Sequence, residues 1–493
     1  MITCRYCSRA WTVRPGRVAV DQWPNRPSDV LDREEGEQHA MAKNHGGITH
    51  APGALPIIGH LLPLLRDPLR FLSTLPAYGD LVQIRLGPQT AVVVCRPELV
   101  QQVLLNDRIY DKGGPIIERV GNALGDGIAS CPHSAHRRQR RSLQPAFSRT
   151  CLREYATIMT GQIDVLTTGW SDGQTVEVGA QMYGLASDTI ARTLFTAEAA
   201  APAVDAVTAS LPDIFRGIYQ QAVLPPLLRR LPLPPNVRYE RARNRAWAAV
   251  SKTISSYRQD GGPHGDVLSM LLKTQDDAGE PLGDAEIHAQ IMTLLVAGID
   301  TTAVALTWAV HLLCQYPDVQ ERLRIETTEV LGTRTATWED LPRLDLARRV
   351  ITETLRLYPP GWIFTRTTSA EARLADAVIP SETTLVYSPY LIHRDPRFNA
   401  RPDFFDPDRW LPEREHTRGT LIPFGGGARK CLGDNYAMTL ATLALSTIVA
   451  QWRLSHGGLP TPAVEPRMTL APHKVQVRVE SLESEPLADS IRQ

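Results

Sequence analysis

Cys431 stands in a setting that suits a thiolate ligand. It lies near the end of the stretch 424–433, Phe-Gly-Gly-Gly-Ala-Arg-Lys-Cys-Leu-Gly, and an apolar segment predicted to be helical follows from Asp434 to Val449. The N-terminus of that helix and the free N–H groups of the loop favour negative charge on sulfur. The glycines allow the backbone to bend tightly and to approach a flat ligand closely. We therefore interpret Cys431 as a ligand rather than as a structural cysteine, with Arg429 placed to pair with an anionic group on the bound molecule.

The longest predicted helix, residues 283–316, contains the unusual stretch Ala-Gly-Ile-Asp-Thr-Thr at 297–302. Glycine, an acid and two β-branched hydroxyl residues are poor choices for a helix centre. Such hydroxyls tend to bond back to carbonyl oxygens one turn earlier and to bend the helix. Taken alone, the pattern fits either an ordinary polar turn or a functional site, and its reactive side chains are those of Asp300 and Thr301.

Two further patterns place charged residues one helical turn apart. Glu353 and Arg356 form an acid–base pair at i, i+3 on a predicted helix over 346–357, and taken alone this is a common surface pair. His136 and Arg140 are separated by Arg-Arg-Gln, so they are placed to bond one anion together. For such a sequence a solvated basic helix face is the ordinary interpretation.

The stretch around Cys431 resembles the haem-binding signature of the cytochrome P-450 family, Phe-Gly-x-Gly-x-Arg-x-Cys-x-Gly, with every defining position present. The resemblance covers roughly residues 50–480. It implies a mainly α fold with small β-sheets, the cytochrome P-450 fold, in which haem b lies between the long central helix and the helix after the cysteine loop. Cys431 would be the axial thiolate of the iron, and Phe424 would shield the sulfur.

The same resemblance assigns roles to the other motifs. Thr301 would hold dioxygen and water over the haem, and Asp300 would relay protons to it. Four basic residues would bind the haem propionates: His136, Arg140, Arg366 and Arg429. Three residues would form a structural lock that holds the cysteine loop against the core: Glu353, Arg356 and Arg409. Because an acid–hydroxyl pair serves proton delivery, its presence favours a monooxygenase that inserts oxygen from O2 into a C–H bond.

Composition excludes several classes of protein. The 493 residues carry a formal net charge of zero and no basic stripe, so nucleic acid is not an expected partner. The seven cysteines are odd in number and scattered, which argues against a disulfide framework, and Cys4 and Cys7 lack the second pair of a zinc site. No apolar run reaches the roughly 20 residues of a membrane helix, and no signal peptide is visible. We expect a cytoplasmic monomer without a membrane anchor.

The chain divides into three predicted parts. Residues 1–45 are polar and aperiodic, so we expect an extension that is disordered or that precedes the true start at Met41. A single domain is expected over 46–482 and a tail over 483–493. Within the domain, the pattern predicts a β-hairpin over 81–95, a glycine-rich loop over 107–130 and, by the resemblance, a proline-rich lid at 224–235.

Electron supply is expected from separate proteins. The chain ends soon after Cys431, so no reductase domain is expected to be fused to it. A ferredoxin and a ferredoxin reductase would pass electrons from NADPH or NADH. A basic patch on the cysteine side of the haem would suit an acidic ferredoxin, and it would consist of Arg137, Arg138, Arg141 and Lys430.

The expected substrate is small and lipophilic. Predicted pocket residues are mostly apolar, and they are 107–120, Leu294, Leu295, Ala297, Thr301, 362–365 and 468–470. Strings such as Tyr-Asp-Lys-Gly-Gly-Pro at 110–115 and Tyr-Ser-Pro-Tyr-Leu-Ile-His-Arg-Asp-Pro at 387–396 resemble actinobacterial family members that oxidise sesquiterpenes. The resemblance implies oxidation of one methyl group of pentalenene to an alcohol and then an aldehyde, within terpenoid antibiotic biosynthesis of the pentalenolactone type.

Three alternatives stay open at this point. A hydroxylase of another lipophile, such as a fatty acid or a macrolide, is the first, although no arginine stands out as an anchor for an acyl carboxylate. A haem-binding sensor or carrier without turnover is the second, and Asp300 and Thr301 argue against it. An isomerase or dehydratase on the same scaffold is the third, and it would not consume NADPH.

Overall fold

The computed structural model describes residues 47–195, 201–223, 229, 231–260, 265–275, 279–417, 419–457 and 462–482. The predicted extension at 1–45, the tail at 483–493 and residues 224–228 and 230 of the proline-rich stretch lie outside the described residues. The boundaries of the predicted single domain therefore stay a prediction.

Helices dominate the described chain, because apolar residues recur along them at the spacing that buries one face. Their bounds are α1 Leu61–Arg66, α2 Pro68–Thr74, α3 Pro97–Leu105, α4 Pro115–Leu124, α5 His133–Leu143, α6 Arg149–Thr168, α7 Val178–Leu194, α8 Ala201–Val223, α9 Pro234–Asp260, α10 Val267–Lys273, α11 Asp284–Gln315, α12 Pro317–Leu331, α13 Asp345–Leu357, α14 Pro389–His393 and α15 Asp434–Gln451.

Short strands form four small sheets. Their bounds are β1 Thr49–His50, β2 Leu81–Leu86, β3 Gln89–Val94, β4 Tyr110–Asp111, β5 Thr175–Glu177, β6 Phe364–Thr368, β7 Ala372–Leu374, β8 Ala377–Ile379, β9 Thr384–Tyr387, β10 Trp452–Ser455, β11 Val464–Pro466, β12 Leu470–Pro472 and β13 Gln476–Ser481. The largest sheet has the order β1-β2-β3-β9-β6-β4, a second has the order β10-β13-β5, and β7-β8 and β11-β12 are two-stranded. The predicted mainly α fold with small sheets is confirmed.

One prediction for the N-terminal half is confirmed and one is wrong. Strands β2 and β3 form the predicted hairpin, with Leu81 opposite Val94. The predicted loop at 107–130 instead contains strand β4 and helix α4. Gly114 and Gly125 flank α4 with φ angles of 87° and 90°. Because such backbone conformations favour glycine, the glycines that indicated a loop are the two ends of a helix.

Helix α11 is the centre of the core. Among the described helices it is the one long and apolar enough to cross a membrane, and 78% of its apolar window is buried inside the fold. It packs against α7, α13 and α15. Near its C-terminal half, Trp308 stacks on Tyr358 with ring centroids 3.7 Å apart. The polar stretch at 297–302 is helical throughout, so α11 passes through the fold as one element.

Glu353 and Arg356 on α13 form a fully buried bidentate ion pair. The Nε–Oε2 and Nη2–Oε1 distances are both 2.8 Å. Arg409 Nε lies 3.4 Å from Glu353 Oε1, and the Trp410 indole N–H donates to Glu353 Oε2 at 2.9 Å. Arg356 also donates to three carbonyl oxygens, those of His393, Pro402 and Phe404. The three predicted lock residues therefore meet, and they tie α13 to the chain that precedes the cysteine loop.

Replacing Glu353 tests this network. We expect Glu353→Gln to lower the free energy of unfolding by about 3–5 kcal/mol, because it leaves the buried Arg356 cation without its counter-charge. The measurement is urea unfolding followed by far-ultraviolet circular dichroism. The matched control is Glu329→Gln on the exposed face of α12, which should change the free energy by less than about 0.5 kcal/mol. Equal unfolding midpoints for the two variants would contradict the role assigned to the ion pair.

Candidate active site

A cavity of about 370 Å³ lies between the middle of α11 and the loop that precedes α15. Most of its wall is apolar and includes Ile117 from α4, Leu294 and Ala297 from α11, and Phe364 from β6. Among the described residues that line it, Cys431 is the one cysteine. The cavity therefore brings the predicted thiolate and the predicted central helix into one site.

Two glycines shape the cysteine loop. Gly425 and Gly427 have φ angles of 68° and 64°, a region that favours glycine. A β-carbon at Gly427 would collide with the carbonyl oxygen of Leu104 on α3. The Cys431 N–H donates to the Phe424 carbonyl at 2.9 Å and closes the loop. The loop thus bends tightly at its glycines and packs closely against α3. This conformation places Cys431 at the cavity wall, just before the first turn of α15.

The electrostatic surroundings of Cys431 are mixed. Its side chain is exposed to the cavity rather than to bulk water. Burial inside the fold raises the pKa of the thiol, whereas the Gly433 N–H and the cations of Arg140 and Lys112 lower it. A metal ion in the cavity would add positive charge and favour the thiolate.

His393 connects the buried ion pair to the cysteine loop, a role that the sequence did not predict. Its Nδ1 lies 3.1 Å from the Arg356 carbonyl oxygen, and its Nε2 accepts the Ile422 N–H at 2.8 Å. The neutral tautomer with hydrogen on Nδ1 satisfies both contacts. Burial lowers the pKa of His393 to about 3, which keeps the ring neutral at pH 7. The Ile422 carbonyl in turn accepts the Gly425 N–H at 3.0 Å.

The acid–hydroxyl pair on α11 points in two directions. Thr301 lines the cavity, and its hydroxyl donates to the Ala297 carbonyl at 2.6 Å. Asp300 is 3% exposed and is hydrogen-bonded to Thr469 rather than lining the cavity. Burial raises the pKa of Asp300 to about 6, although Thr469 and Arg467 lower it. Its Oδ2 has no partner among the described residues, so this carboxyl group can carry a proton near neutral pH.

Basic side chains line the cavity near Cys431. Three were predicted as anion partners: His136 and Arg140 on α5 and Arg366 on β6. A fourth, Lys112, follows β4 and was missed. Lys112 belongs to the string Tyr-Asp-Lys-Gly-Gly-Pro at 110–115. This string has no regular spacing of residues that would indicate that the lysine side chain faces a site. Burial and the neighbouring cations lower the pKa of His136 to about 3.

Arg429 also reaches the cavity, but protein groups hold its guanidinium. Its Nε lies 3.1 Å from Asp107 Oδ2, and its Nη2 lies 2.5 Å from Asp111 Oδ1. Its Nη1 donates to the Cys131 carbonyl at 2.9 Å. The side chain is fully buried. The structure therefore places Arg429 as a tie between the cysteine loop and β4, and its predicted contact with an anionic group of the ligand stays a prediction.

The predicted pocket residues divide into two groups. Seven of them line the cavity: Lys112, Ile117, Leu294, Ala297, Thr301, Phe364 and Thr365. The other residues of 107–120, and Trp362 and Ile363, do not line it. Leu295 is fully buried elsewhere, because it lies about 100° around the helix from Leu294. Residues 468–470 do not line the cavity either, and the Leu470 carbonyl accepts the Trp308 indole N–H at 2.8 Å.

Comparison with protein families supports the predicted resemblance. The cytochrome P450 model matches residues 50–479. The chain belongs to the cytochrome P450 family. A crystal structure of the cytochrome P450DA heme domain is similar with a TM-score of 0.79 and 26% sequence identity, and the match covers 88% of this chain and 98% of that one. The predicted family and fold are confirmed. The cofactor of this haem-thiolate family is haem b with an axial cysteine thiolate.

Several curated relatives are bacterial cytochromes P450 of Streptomyces. Cyclooctatin synthase of Streptomyces melanosporofaciens is 46% identical over 86% of this chain and 94% of its own length. Pentalenene oxygenase of Streptomyces avermitilis is 44% identical over 82% and 91%. Cyclooctat-9-en-7-ol 5-monooxygenase of Streptomyces melanosporofaciens is 41% identical over 82% and 89%. This chain thus aligns with most of the length of each relative. Like them, it belongs to a family of oxidoreductases that incorporate oxygen into their substrates.

The residues around the cavity fit haem b. Cys431 offers a sulfur donor, and the apolar walls suit the faces of a porphyrin. The basic side chains that line the cavity suit its carboxylates. Within the described residues, the Nε of the buried Arg366 side chain has no protein partner, so it is open to a ligand acceptor.

The histidine link leads to a prediction about pH. Unfolded His393 takes up a proton near pH 6.5, whereas folded His393 resists protonation until about pH 3. The unfolded state thus binds more protons in this window, so the free energy of unfolding falls as pH drops from 6.5 toward 3, by up to about 1.4 kcal/mol per pH unit for this group. His393→Gln should remove this part of the slope in urea titrations. His50→Gln, at an exposed histidine, should leave the slope unchanged, and equal slopes for both variants would contradict the assignment.

Proposed function

We propose that this protein is a monooxygenase that oxidises one methyl group of a sesquiterpene hydrocarbon, pentalenene, to an alcohol and then to an aldehyde. The similarity to pentalenene oxygenase, 44% identity over 82% of this chain, carries the proposal. The predominantly apolar wall of the cavity supports it, because a hydrocarbon offers no polar group to bind.

Cys431 is the residue proposed to ligate the haem iron. It is the one cysteine among the described cavity residues, and the glycine-rich loop and the first turn of α15 position it. Bound haem supplies the activation of dioxygen. Phe424, the first residue of the loop, also lines the cavity and is proposed to shield the sulfur. His136 and Arg140 bind one haem carboxylate in this proposal, as their one-turn spacing on α5 allows.

Proton delivery is proposed to rest on Thr301 and Asp300. The Thr301 hydroxyl faces the cavity and is held by the Ala297 carbonyl. Asp300, in the same helical turn, has a pKa of about 6 and one unpartnered carboxyl oxygen among the described contacts. A carboxyl group that gains and loses a proton near neutral pH is suited to recharge the hydroxyl through water.

Apolar side chains are proposed to position the substrate. Leu294 and Ala297 present one wall from α11, Ile117 another from α4, and Phe364 a third from β6. Since no polar contact orients a hydrocarbon, the shape of these walls decides which methyl group lies near the reactive centre.

A ferredoxin, supplied by its reductase with electrons from NADPH or NADH, is proposed as the electron donor. An open cleft beside the cysteine loop is lined by Arg137 and Arg141, both exposed, and by Gly427 and Ala428. Arg138, predicted to join this patch, instead pairs with Glu286 at 2.8 Å. Lys430 pairs with Asp434 at 2.5 Å, at the edge of the loop. The positive charges of Arg137 and Arg141 in this cleft suit an acidic partner.

Ligand titration tests the substrate. Purified ferric protein is titrated with pentalenene, with cyclooctat-9-en-7-ol and with dodecanoic acid while the haem Soret band is recorded. We expect a saturable low-spin to high-spin shift with pentalenene, because a hydrocarbon that fills the cavity would exclude water from it. Turnover with ferredoxin, ferredoxin reductase and NADPH should then yield the alcohol and the aldehyde.

The other outcomes are equally informative. A shift with cyclooctat-9-en-7-ol alone would replace the sesquiterpene by a larger terpenoid alcohol, and a shift with dodecanoic acid alone would favour a fatty-acid hydroxylase. The control is Cys431→Ser, which should abolish the thiolate-type spectrum of the ferrous carbon monoxide complex. Retention of that spectrum would overturn the assignment of Cys431 as the axial ligand.

Thr301 can be tested against a matched threonine on the same helix. We expect Thr301→Ala to retain haem binding and NADPH consumption but to divert most reducing equivalents to hydrogen peroxide, because proton delivery is impaired. The measurement is the ratio of product to NADPH consumed. Thr307 also donates to the carbonyl one turn earlier, at 2.6 Å, but lies outside the cavity lining. Thr307→Ala should keep the wild-type ratio, and a normal ratio in Thr301→Ala would refute the relay.

A further inference from the structure

Helix α9 carries a row of four exposed cations along one side. The members of this basic row are Arg238, Arg241, Arg245 and Lys252. Because successive residues of an α-helix are about 100° apart around its axis, this spacing places all four within an arc of about 60°. The sequence was predicted to lack a basic stripe. The structure corrects this prediction, because the stripe forms only when residues that are separated in the chain align on one face of a helix.

The protein does not neutralise the basic row. Within the part of the chain that the structure describes, none of its four side chains has an ion-pair partner. The one acid between Arg238 and Lys252 is Glu240. Glu240 pairs with Arg243 at 2.8 Å, on another face of the helix. Since like charges one turn apart destabilise a helix, a negatively charged surface from outside the chain would stabilise this one.

Apolar side chains are exposed where the same helix begins. Leu231 is 47% exposed and Leu233 is 38% exposed. The Val237 N–H donates to the Leu233 carbonyl at 3.0 Å, so Leu233 is joined to the first turn of α9. Exposed leucines beside a basic helical face are typical of a surface that binds lipid, because the cations meet the head groups while the leucines leave water.

The shape of the basic row indicates an extended partner. From Arg238 to Lys252 the helix rises about 21 Å, with the cations spread along a line. A small anion is bound by side chains that converge on one point, whereas a line of cations fits an array of anions. Nucleic acid also presents such an array, but its phosphates offer nothing to the two leucines. An anionic bilayer satisfies both the cations and the leucines.

We propose that the basic row of α9, together with Leu231 and Leu233, docks this protein on the surface of an anionic lipid bilayer. The docking is peripheral, so it needs no membrane anchor, and it goes beyond the proposed reaction without depending on it. On the opposite side of α9, the Trp247 indole N–H donates to the Ala123 carbonyl of α4 at 2.7 Å. Helix α4 contributes Ile117 to the cavity. Docking therefore places α9 between the bilayer and a wall of the cavity.

Co-sedimentation of the holoenzyme with vesicles tests the proposal. One set of vesicles contains equal parts of phosphatidylglycerol and phosphatidylcholine, and the other contains phosphatidylcholine alone. We expect the wild type to bind the anionic vesicles at about 0.1 M salt and to be released at about 1 M salt, because the Debye length falls from about 10 Å to about 3 Å. The neutral vesicles should bind far less protein.

Paired variants separate the two contributions to docking. Arg241→Gln/Arg245→Gln should weaken binding to the anionic vesicles about 20-fold to 30-fold, since each cation near such a surface contributes about fivefold. The matched control, Arg373→Gln/Lys474→Gln, removes the same charge from exposed positions elsewhere and should bind as the wild type does. Leu231→Ser/Leu233→Ser should also weaken binding, with its salt dependence retained, because burial of leucine is not electrostatic.

The outcomes that would overturn the proposal are equally specific. Absence of wild-type protein from the anionic vesicle pellet would do so, as would equal binding by the wild type and Arg241→Gln/Arg245→Gln. If duplex DNA displaces the protein from the vesicles and the leucine variant binds them as tightly as the wild type, the row is a general polyanion site rather than a lipid surface. Each variant should keep the thiolate-type spectrum of its ferrous carbon monoxide complex, which shows that weaker docking does not come from a damaged fold.

Discussion

The buried carboxylate of Glu353 is the constraint on which the site depends. A charge removed from water costs several kcal/mol unless its oxygens are fully bonded. Here Arg356 binds it through two nitrogens, Arg409 and Trp410 add side-chain donors, and the Asp406 N–H donates at 3.0 Å. These donors come from two segments, α13 and residues 406–410, so satisfying one carboxylate fixes the position of one segment relative to the other. Hydrogen bonds of His393 and Ile422 then connect Arg356 to the loop that contains Cys431.

Charge is distributed unevenly around the cavity, and this distribution determines which parts of a bound molecule each region can accept. Basic side chains from α5, β6 and the end of β4 line the cavity together with Cys431, while α11 contributes aliphatic groups and the hydroxyls of three threonines, Thr293, Thr301 and Thr302. The arginine of the cysteine loop, Arg429, is paired with two aspartates, although its charge still lowers the pKa of His136. One side of the space thus suits the carboxylates of a cofactor, and the other suits a molecule without charge.

The sequence alone predicted the elements whose signals are local. The cysteine loop, the long apolar helix, the hairpin of β2 and β3 and the i, i+3 pair of Glu353 and Arg356 each show in a short window of residues, and the structure contains all four. Lys112 and His393 were missed because their partners are remote in the chain. Lys112 lines the same cavity as Arg366, which is far along the chain, and His393 bridges α13 and the cysteine loop. Helix α4 was predicted as a loop because its flanking glycines resemble turn signals.

Helix α4 has a consequence for how this family diversifies. It is set off from the rest of the chain by Gly114 and Gly125, packs against α8 and α11, and contributes Ile117 to the cavity wall. None of the side chains proposed to hold the cofactor belongs to it. Natural selection can therefore exchange residues on this one short segment and alter which hydrocarbons are accepted, while the machinery that retains the iron is inherited unchanged.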